Sequence, residues 1–281
     1  MTTFMGVEDL ERVDLMKQNW FLLGDIHGDA GPIEYFYHQK KEPLALDACE
    51  NFMILLGDVG CNYALEGMRD YNVKKRLSNL PFTYLCLRGN HEARVSDVVN
   101  NNPEQWEPLH KYGGIVWVEK EFPKIEYLED GPAVYEFAGY KTLTVPGAYS
   151  IDKWTRLYHQ WPWFANEQLS EQEQEYGREL VKRETAFDLI LSHTCPIAFE
   201  PRDLFLGFVD QSQVDKTMEI YLGELEATTK YRRWAWGHFH GDRLYPWEGD
   251  REKLMLFNEN VVDLIKFMEM SRSDYLEDLL A

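Results

Sequence analysis

The chain has 281 residues, 44% of them hydrophobic, and its 48 Asp and Glu against 29 Lys and Arg give a formal net charge of −19. That length is ample for a large buried core, in one α/β domain or two smaller ones. The acidity and the lack of any basic run weigh against a long nucleic acid as partner, since backbone phosphates need clustered cations; the longest apolar runs are far too short to span a bilayer.

The N-terminus carries Glu8, Asp9, Glu11 and Asp14, the opposite of a signal peptide. Residues 20–23 form a short apolar run ending at Gly24-Asp25-Ile26-His27-Gly28-Asp29, and a helix is expected over 32–41. A second run, 52–56, ends at Gly57-Asp58 and precedes a polar helical stretch over 66–79. A third, 82–87, ends at Arg88-Gly89-Asn90-His91-Glu92. Short apolar runs closed by glycine and alternating with helices read as βαβ units with buried parallel strands. The second half is richer in strand signals, at 114–118, 133–137 and 141–145. Residues 166–185 read as the clearest helix, densely charged and exposed on one face. The buried strand 186–191 delivers Ser192-His193-Thr194, and 233–236 delivers Gly237-His238-Phe239-His240. Ala235, Trp236 and residues 254–257 suggest a closing hairpin of a second sheet. With no Pro- or Gly-rich linker and no repeat, the simplest organisation is one domain over 1–281. Its core spans about 20–258, and the acidic extension 259–281 is either a helix packed on the surface or frayed. Cys49, Cys61, Cys86 and Cys195 form no CxxC pair, so free thiols and a reducing cytoplasm are expected rather than a disulfide framework.

Each run thus ends in a residue type that binds metals, and in open α/β sheets ligands bind beyond the carboxyl ends of the strands. Asp25, Asp58 and Asn90 offer oxygen; His27, His91, His193, His238 and His240 offer nitrogen. That mixture suits a pair of divalent transition ions such as Mn, Fe or Zn. Two ions sharing a carboxylate can drive attack on a phosphorus ester. No Ser or Cys stands out as a nucleophile for a covalent phosphoenzyme.

On these five motifs, in this order, the chain resembles the calcineurin-like metallophosphoesterases over about residues 20–245. The resemblance implies a sandwich of two mixed β-sheets flanked by helices, with a dimetal site at the carboxyl edge of the strands. It implies that Asp25, His27 and His240 bind one ion, that Asn90, His193 and His238 bind the second, and that Asp58 bridges them. Mn is the ion expected to support activity in vitro. A water held between the ions would be the nucleophile. His91 would face the substrate, stabilise developing charge and protonate the leaving oxygen. Glu92 would orient His91 or a backbone loop, or simply be an acid in the first turn of a helix.

Gly-Asp-Ile-His-Gly and Arg-Gly-Asn-His-Glu are similar to the Ser/Thr protein-phosphatase branch, whose second motif continues Gly-Asp-x-Val-Asp-Arg-Gly. Here Cys61 stands in the register of the Asp that would orient the catalytic His, and Asn62 in that of the phosphate-gripping Arg. Asn cannot offer the charged fork of Arg. Arg88, Arg94 and Arg156 are the available substitutes, with Arg94 the expected phosphate clamp and Arg156 a second contact. Lacking a carboxylate partner from this motif, His91 is expected to be a weak acid catalyst that favours good leaving groups. Trp161, Trp163 and Phe164 read either as a packing patch or as a rim that stacks an aromatic leaving group. The expected activity is hydrolysis of a small phosphomonoester. The alternatives are a phosphodiesterase or nucleotide hydrolase, and a non-catalytic metal-binding module.

Overall fold

A computed structural model describes residues 18–65, 67–248, 251–256, 259–271 and 273–281. Glu8, Asp9, Glu11, Asp14 and Phe257 lie outside the described residues.

The first half follows the alternation expected from its apolar runs: β1 (Gln18–Leu23), α1 (Gly31–Lys40), β2 (Glu50–Leu55), α2 (Met68–Ser78), β3 (Thr83–Cys86) and α3 (Val95–Asn101). After β4 (Trp106–Lys111), β5 (Gly114–Glu119) and β6 (Ile125–Tyr127) come β7 (Ala133–Phe137), β8 (Tyr140–Val145), α4 (Lys153–His159), α5 (Glu171–Glu184) and β9 (Ala186–Ser192). The chain ends with α6 (Thr217–Thr228), β10 (Lys230–Trp236), β11 (Arg243–Glu248), β12 (Arg251–Met255), β13 (Val262–Asp263), α7 (Leu264–Glu269) and α8 (Leu276–Leu279). A seven-stranded sheet has the order β13-β1-β2-β3-β6-β5-β4, and a six-stranded sheet the order β11-β12-β10-β9-β8-β7. Both are mixed: β1, β2, β3 and β6 run parallel, as do β8, β9, β10 and β12, with antiparallel strands at the edges.

The register explains why the strand runs are apolar without alternation. Leu22 pairs with Ile54 and Ile54 with Leu85, and this row faces the other sheet. The next row, Phe21, Met53 and Tyr84, faces Ile33 and Phe36 of α1 and Val73 and Leu77 of α2. Across the sandwich, Leu191 and Ala235 face inward, while Ile190, Trp234 and Trp236 face Leu180 of α5 and Leu222 of α6. Every central strand is covered on both sides, giving an α/β fold of two mixed sheets flanked by helices. Each fully buried Leu, Ile or Phe contributes roughly 1.5–3 kcal/mol relative to exposure. A one-residue slip would send every such side chain to the wrong face, so the register that positions the strand ends is strongly specified.

Three expectations change. The helix expected from 166 begins at Glu171, because Ser170 caps it: the Glu173 carboxylate accepts the Ser170 backbone N–H at 2.7 Å and Ser170 Oγ accepts that of Glu173 at 3.3 Å. Residues 235 and 236 do not form a hairpin with the last strand. β10 runs parallel to β12, with Ala235 opposite Leu254, and the hairpin is β11–β12. The acidic extension is part of the fold: β13 pairs with β1, and Leu264, Phe267 and Met268 of α7 are buried in the core between the sheets. Among the described residues no helix is long and apolar enough to cross a membrane.

Candidate metal centre

β1, β2, β3, β9 and β10 run parallel within their sheets, so the loops after them emerge along one edge. These loops carry the five motifs. Close approach is built in by glycine: a Cβ at Gly89 would collide with the Asp58 carboxylate. Gly57 has φ +107°, and a Cβ there would collide with the His193 ring. His27, Asp58, His238 and His240 all have positive φ (47°, 49°, 70° and 52°). A non-glycine residue in this region stores strain of order 1–3 kcal/mol, which persists only where the surroundings impose it. His27 is fixed by its N–H donating to Asp58 O at 2.7 Å, and His238 by its N–H donating to the Asp25 carboxylate at 3.0 Å.

Two donor groups result, with Asp58 between them. In the first, His27 Nε2 and His240 Nε2 are 2.9 Å apart, and His240 Nε2 is 3.7 Å from Asp25 Oδ2. In the second, His193 Nε2 is 2.9 Å from Asn90 Oδ1 and 3.6 Å from Asp58 Oδ2, and the His238 ring centroid lies 5.0 Å from that of His193. Donor atoms of Asp25, His27 and His240 all lie within 4.8 Å of one another, and so do those of Asp25, Asp58 and His193. The surrounding bonds leave the right atoms facing inward. His193 Nδ1 donates to Leu56 O at 2.7 Å, which directs Nε2 into the cluster. The Asn90 amide donates to Ser150 Oγ at 2.9 Å, Ser150 Oγ donates to Glu167 at 2.6 Å, and Trp163 Nε1 donates to the same carboxylate at 2.8 Å. Asn90 Oδ1 is thereby turned inward. Trp163, left between packing patch and rim by the sequence, is tied into this chain.

The electrostatics suit cations. Burial pushes the Asp25 carboxyl up to about 7, with Asp58 adding to it. Burial also opposes ionisation of Asp58, but His91 and His193 outweigh it and hold that carboxyl well below its ordinary value. Burial lowers His27 to about 4 and lowers His238 and His240 too, so these imidazoles keep the lone pairs that ligation needs. Against burial, Asp58 and Asp25 push His193 up to about 9. Two buried carboxylates, three imidazoles that burial keeps neutral, an Asn carbonyl and His193, which would give up its proton to ligate, fit a pair of divalent ions.

His91 sits at the mouth of this cluster, its N–H donating to Asp58 Oδ1 at 2.8 Å. It does not lack a carboxylate partner. Asp152, just ahead of α4, places Oδ1 3.7 Å from His91 Nε2, and Asp58 Oδ2 lies 3.8 Å from Nδ1. Burial works against the imidazolium and so does Arg156, yet Asp58 and Asp152 prevail and the His91 pKa is raised. The premise of the weak acid catalysis expected from Cys61, that His91 has no carboxylate beside it, does not hold. Cys61 itself is buried in the core beneath α1 and α2, where burial pushes its thiol up. Glu92 does not begin a helix; its carboxylate accepts the backbone N–H groups of Gly60 at 2.8 Å and Cys61 at 3.3 Å, clamping the second motif to the third.

The arginines divide sharply. Arg94 is turned away from the phosphate role expected of it: Glu173 engages its guanidinium, and the carbonyls of Asn166 and Gln168 accept from it at 3.0 Å. It ties α3 to α5. Arg88 donates to the Glu167 carbonyl at 2.7 Å and is buried beneath the site. Arg156 is the one at the cluster. Its Nη2 is 2.7 Å from His91 Nδ1, and its Nε donates to Asp152 at 2.8 Å. Arg156 and Arg69, the latter stacked 3.9 Å over the Tyr63 ring, line a recess of about 270 Å³ together with Asp58, His91 and His240. Asp152, Arg69 and Glu167 escaped the sequence reading. An Asp–Arg pair at i, i+4 was the one available signal, for Asp152.

A family model described as calcineurin-like phosphoesterase matches residues 21–242. Among solved structures, the chain is similar to a phosphopantetheinyl hydrolase from Mycobacterium tuberculosis (13% identity over 86% of this chain and 90% of that one, TM-score 0.43). It is similar to a dimetal phosphatase from Danio rerio (10% identity, 88% and 93% covered, TM-score 0.46) and to an archaeal phosphodiesterase (11% identity, 89% and 95% covered, TM-score 0.37). No curated protein sequence matches it.

Proposed function

The chain belongs to the calcineurin-like phosphoesterase family and is a metal-dependent hydrolase of phosphate esters, and from that premise we propose that it acts on phosphomonoesters. Asp25, His27 and His240 would hold one divalent ion and Asn90, His193 and His238 the other, with Asp58 offering a carboxylate to both. When bound, the ions supply Lewis-acid polarisation of the phosphoryl group and an acidified water; Mn is the ion of choice for an assay, with Fe and Zn the other fits to this donor set. Arg156 and Arg69 grip the non-bridging oxygens from the side of the smaller recess. His91, with Asp152 Oδ1 3.7 Å from its Nε2, is placed to deliver a proton to the leaving oxygen. Asp152 acts through His91 and is a positioning residue. One domain carries all of this, and four free cysteines suit a reducing cytoplasm.

The observation that carries the monoester reading is the pairing of two guanidiniums with Asp58 and His91 in one recess. A monoester dianion repays two cations, whereas a diester offers a single charge. A diesterase is the second reading, favoured by a further recess that opens onto Asp58, His91 and His240 from another side and could hold a second ester arm. The test is turnover of 4-nitrophenyl phosphate and bis(4-nitrophenyl) phosphate with added Mn. The monoester should have the higher kcat/KM. A faster diester would replace the reading with the second one, and turnover of neither would return the chain to a non-catalytic metal-binding module.

A further inference from the structure

We propose that the second recess is the seat of the leaving group and selects phosphate esters of neutral, apolar alcohols; this rests on the phosphoesterase reading and names its substrate class. The recess has a volume of about 440 Å³, within the range of small-molecule sites, and Asp58, Asn90 and His91 are part of its lining. A group seated there is therefore continuous with the atom that His91 would protonate. Its lining includes a group of apolar side chains: Ile151 comes from the loop before α4, and Leu204, Phe205 and Leu206 from the segment between β9 and α6. Ile151, Leu204 and Leu206 remain 42%, 39% and 46% exposed. Aliphatic side chains left to water around one concavity beside a catalytic cluster are what an apolar ligand would cover.

Charge narrows the occupant further. Lys216 is the one Lys or Arg among the described residues lining the recess, and its Nζ is held by Glu200 at 2.6 Å and Gln211 at 3.3 Å. Asp152, Asp215 and Glu219 line it too. An additional phosphate or carboxylate on the leaving group would meet acids with no spare cation among the described residues, whereas the recess on the Arg156 side is basic. The two recesses so divide the substrate, with phosphoryl oxygens toward Arg69 and Arg156 and the uncharged alcohol toward Leu204 and Leu206.

The test uses the Mn-loaded full chain and a series of ethyl, butyl, hexyl and octyl phosphates. Their leaving alcohols differ little in acidity, so rates read the recess. We expect kcat/KM to rise about 4-fold per added methylene until the recess is full. Naphthyl phosphate should likewise exceed phenyl phosphate, and the two arms tell an alkyl from an aryl preference. Leu206→Asp should collapse the octyl-to-ethyl ratio toward one. Calorimetric binding of octylphosphonate against methylphosphonate gives a readout independent of turnover, and the same variant should abolish the difference. Equal kcat/KM across the series, or a preference for glycerol phosphate or a nucleoside diphosphate in an active enzyme, would overturn the proposal. If no ester is hydrolysed, 4-nitrophenyl phosphate included, the phosphomonoesterase reading fails. Chain-length-independent phosphonate binding would then sink the recess assignment separately.

Discussion

Asp152 stands 3.7 Å from His91 Nε2 and simultaneously accepts from Arg156 Nε at 2.8 Å. One carboxylate thus steadies both the group proposed as acid and the group proposed as phosphate clamp. Together, α4 and the residue ahead of it supply the Asp and the Arg that the second glycine-aspartate motif lacks, from a distant part of the chain.

Asp152→Asn tests that substitution. Asn keeps an acceptor for Arg156 but removes one of the two carboxylate charges, Asp58 and Asp152, that raise the His91 pKa. The imidazole then loses its proton at lower pH, so the decline of kcat on the basic side should begin at lower pH than in the wild type. A loss of about 10-fold in kcat at mildly alkaline pH is expected, a fraction of what a general acid supplies. Metal content should not change. A superimposable pH profile would mean that Asp152 does no more than hold α4.

Arg94 and Arg156 should separate stability from activity. Arg94→Ala breaks the contact with Glu173 and two carbonyl bonds, costing about 1–3 kcal/mol, visible as a lower Tm with kcat/KM little altered. Arg156→Lys should melt near the wild type but lose about 10²-fold in kcat/KM, because an ammonium cannot reproduce the fork. The reverse pattern, with activity lost at Arg94, would restore the sequence-based expectation.

Asn90 depends on Ser150 and Glu167 for its orientation. Ser150→Ala frees the amide to rotate and should weaken binding of one of the two ions about 10–100-fold. His91→Ala, by contrast, should keep both ions and lose about 10²–10⁴-fold in kcat. Metal titrations beside steady-state rates distinguish the two; equal metal loss in both variants would make His91 a ligand.

Metal uptake should release protons. Asp25, pushed up to about 7, and His193, pushed up to about 9, must both shed a proton to ligate. Their proton-bound forms dominate below those values and vanish above them. Apparent affinity should therefore climb with pH through that window, by up to about tenfold per unit for each proton displaced. Calorimetry in buffers of different ionisation enthalpy counts the protons, and an affinity flat across the window would contradict the assignment.

The strands and the donors were legible for one physical reason. Phe21 and Leu22 face opposite layers that are both buried, so the strands carry unbroken apolar runs, and the second and third runs stop near Gly57 and Gly89, which must admit a neighbouring side chain. What escaped depends on contacts between distant segments. Arg94 sits two residues after Glu92 and looks like a site residue, but its partner Glu173 lies on α5. Asp152, just ahead of α4, and Arg69, in the first turn of α2, reach the site only through tertiary folding of segments whose local sequence specifies no metal or phosphate. The parallel pairing of β10 with β12 needs β11 as an intervening hairpin arm, and nothing near Ala235 announces it.

The arrangement around Asp58 is the centre of the account, and a crystal structure of the Mn-loaded protein with anomalous scattering tests it most directly. Two peaks about 3.5–4 Å apart are predicted, with the Asp58 carboxylate between them, Asp25, His27 and His240 on one, and Asn90, His193 and His238 on the other. A single peak, or an Asp58 side chain turned away from both ions, would contradict it.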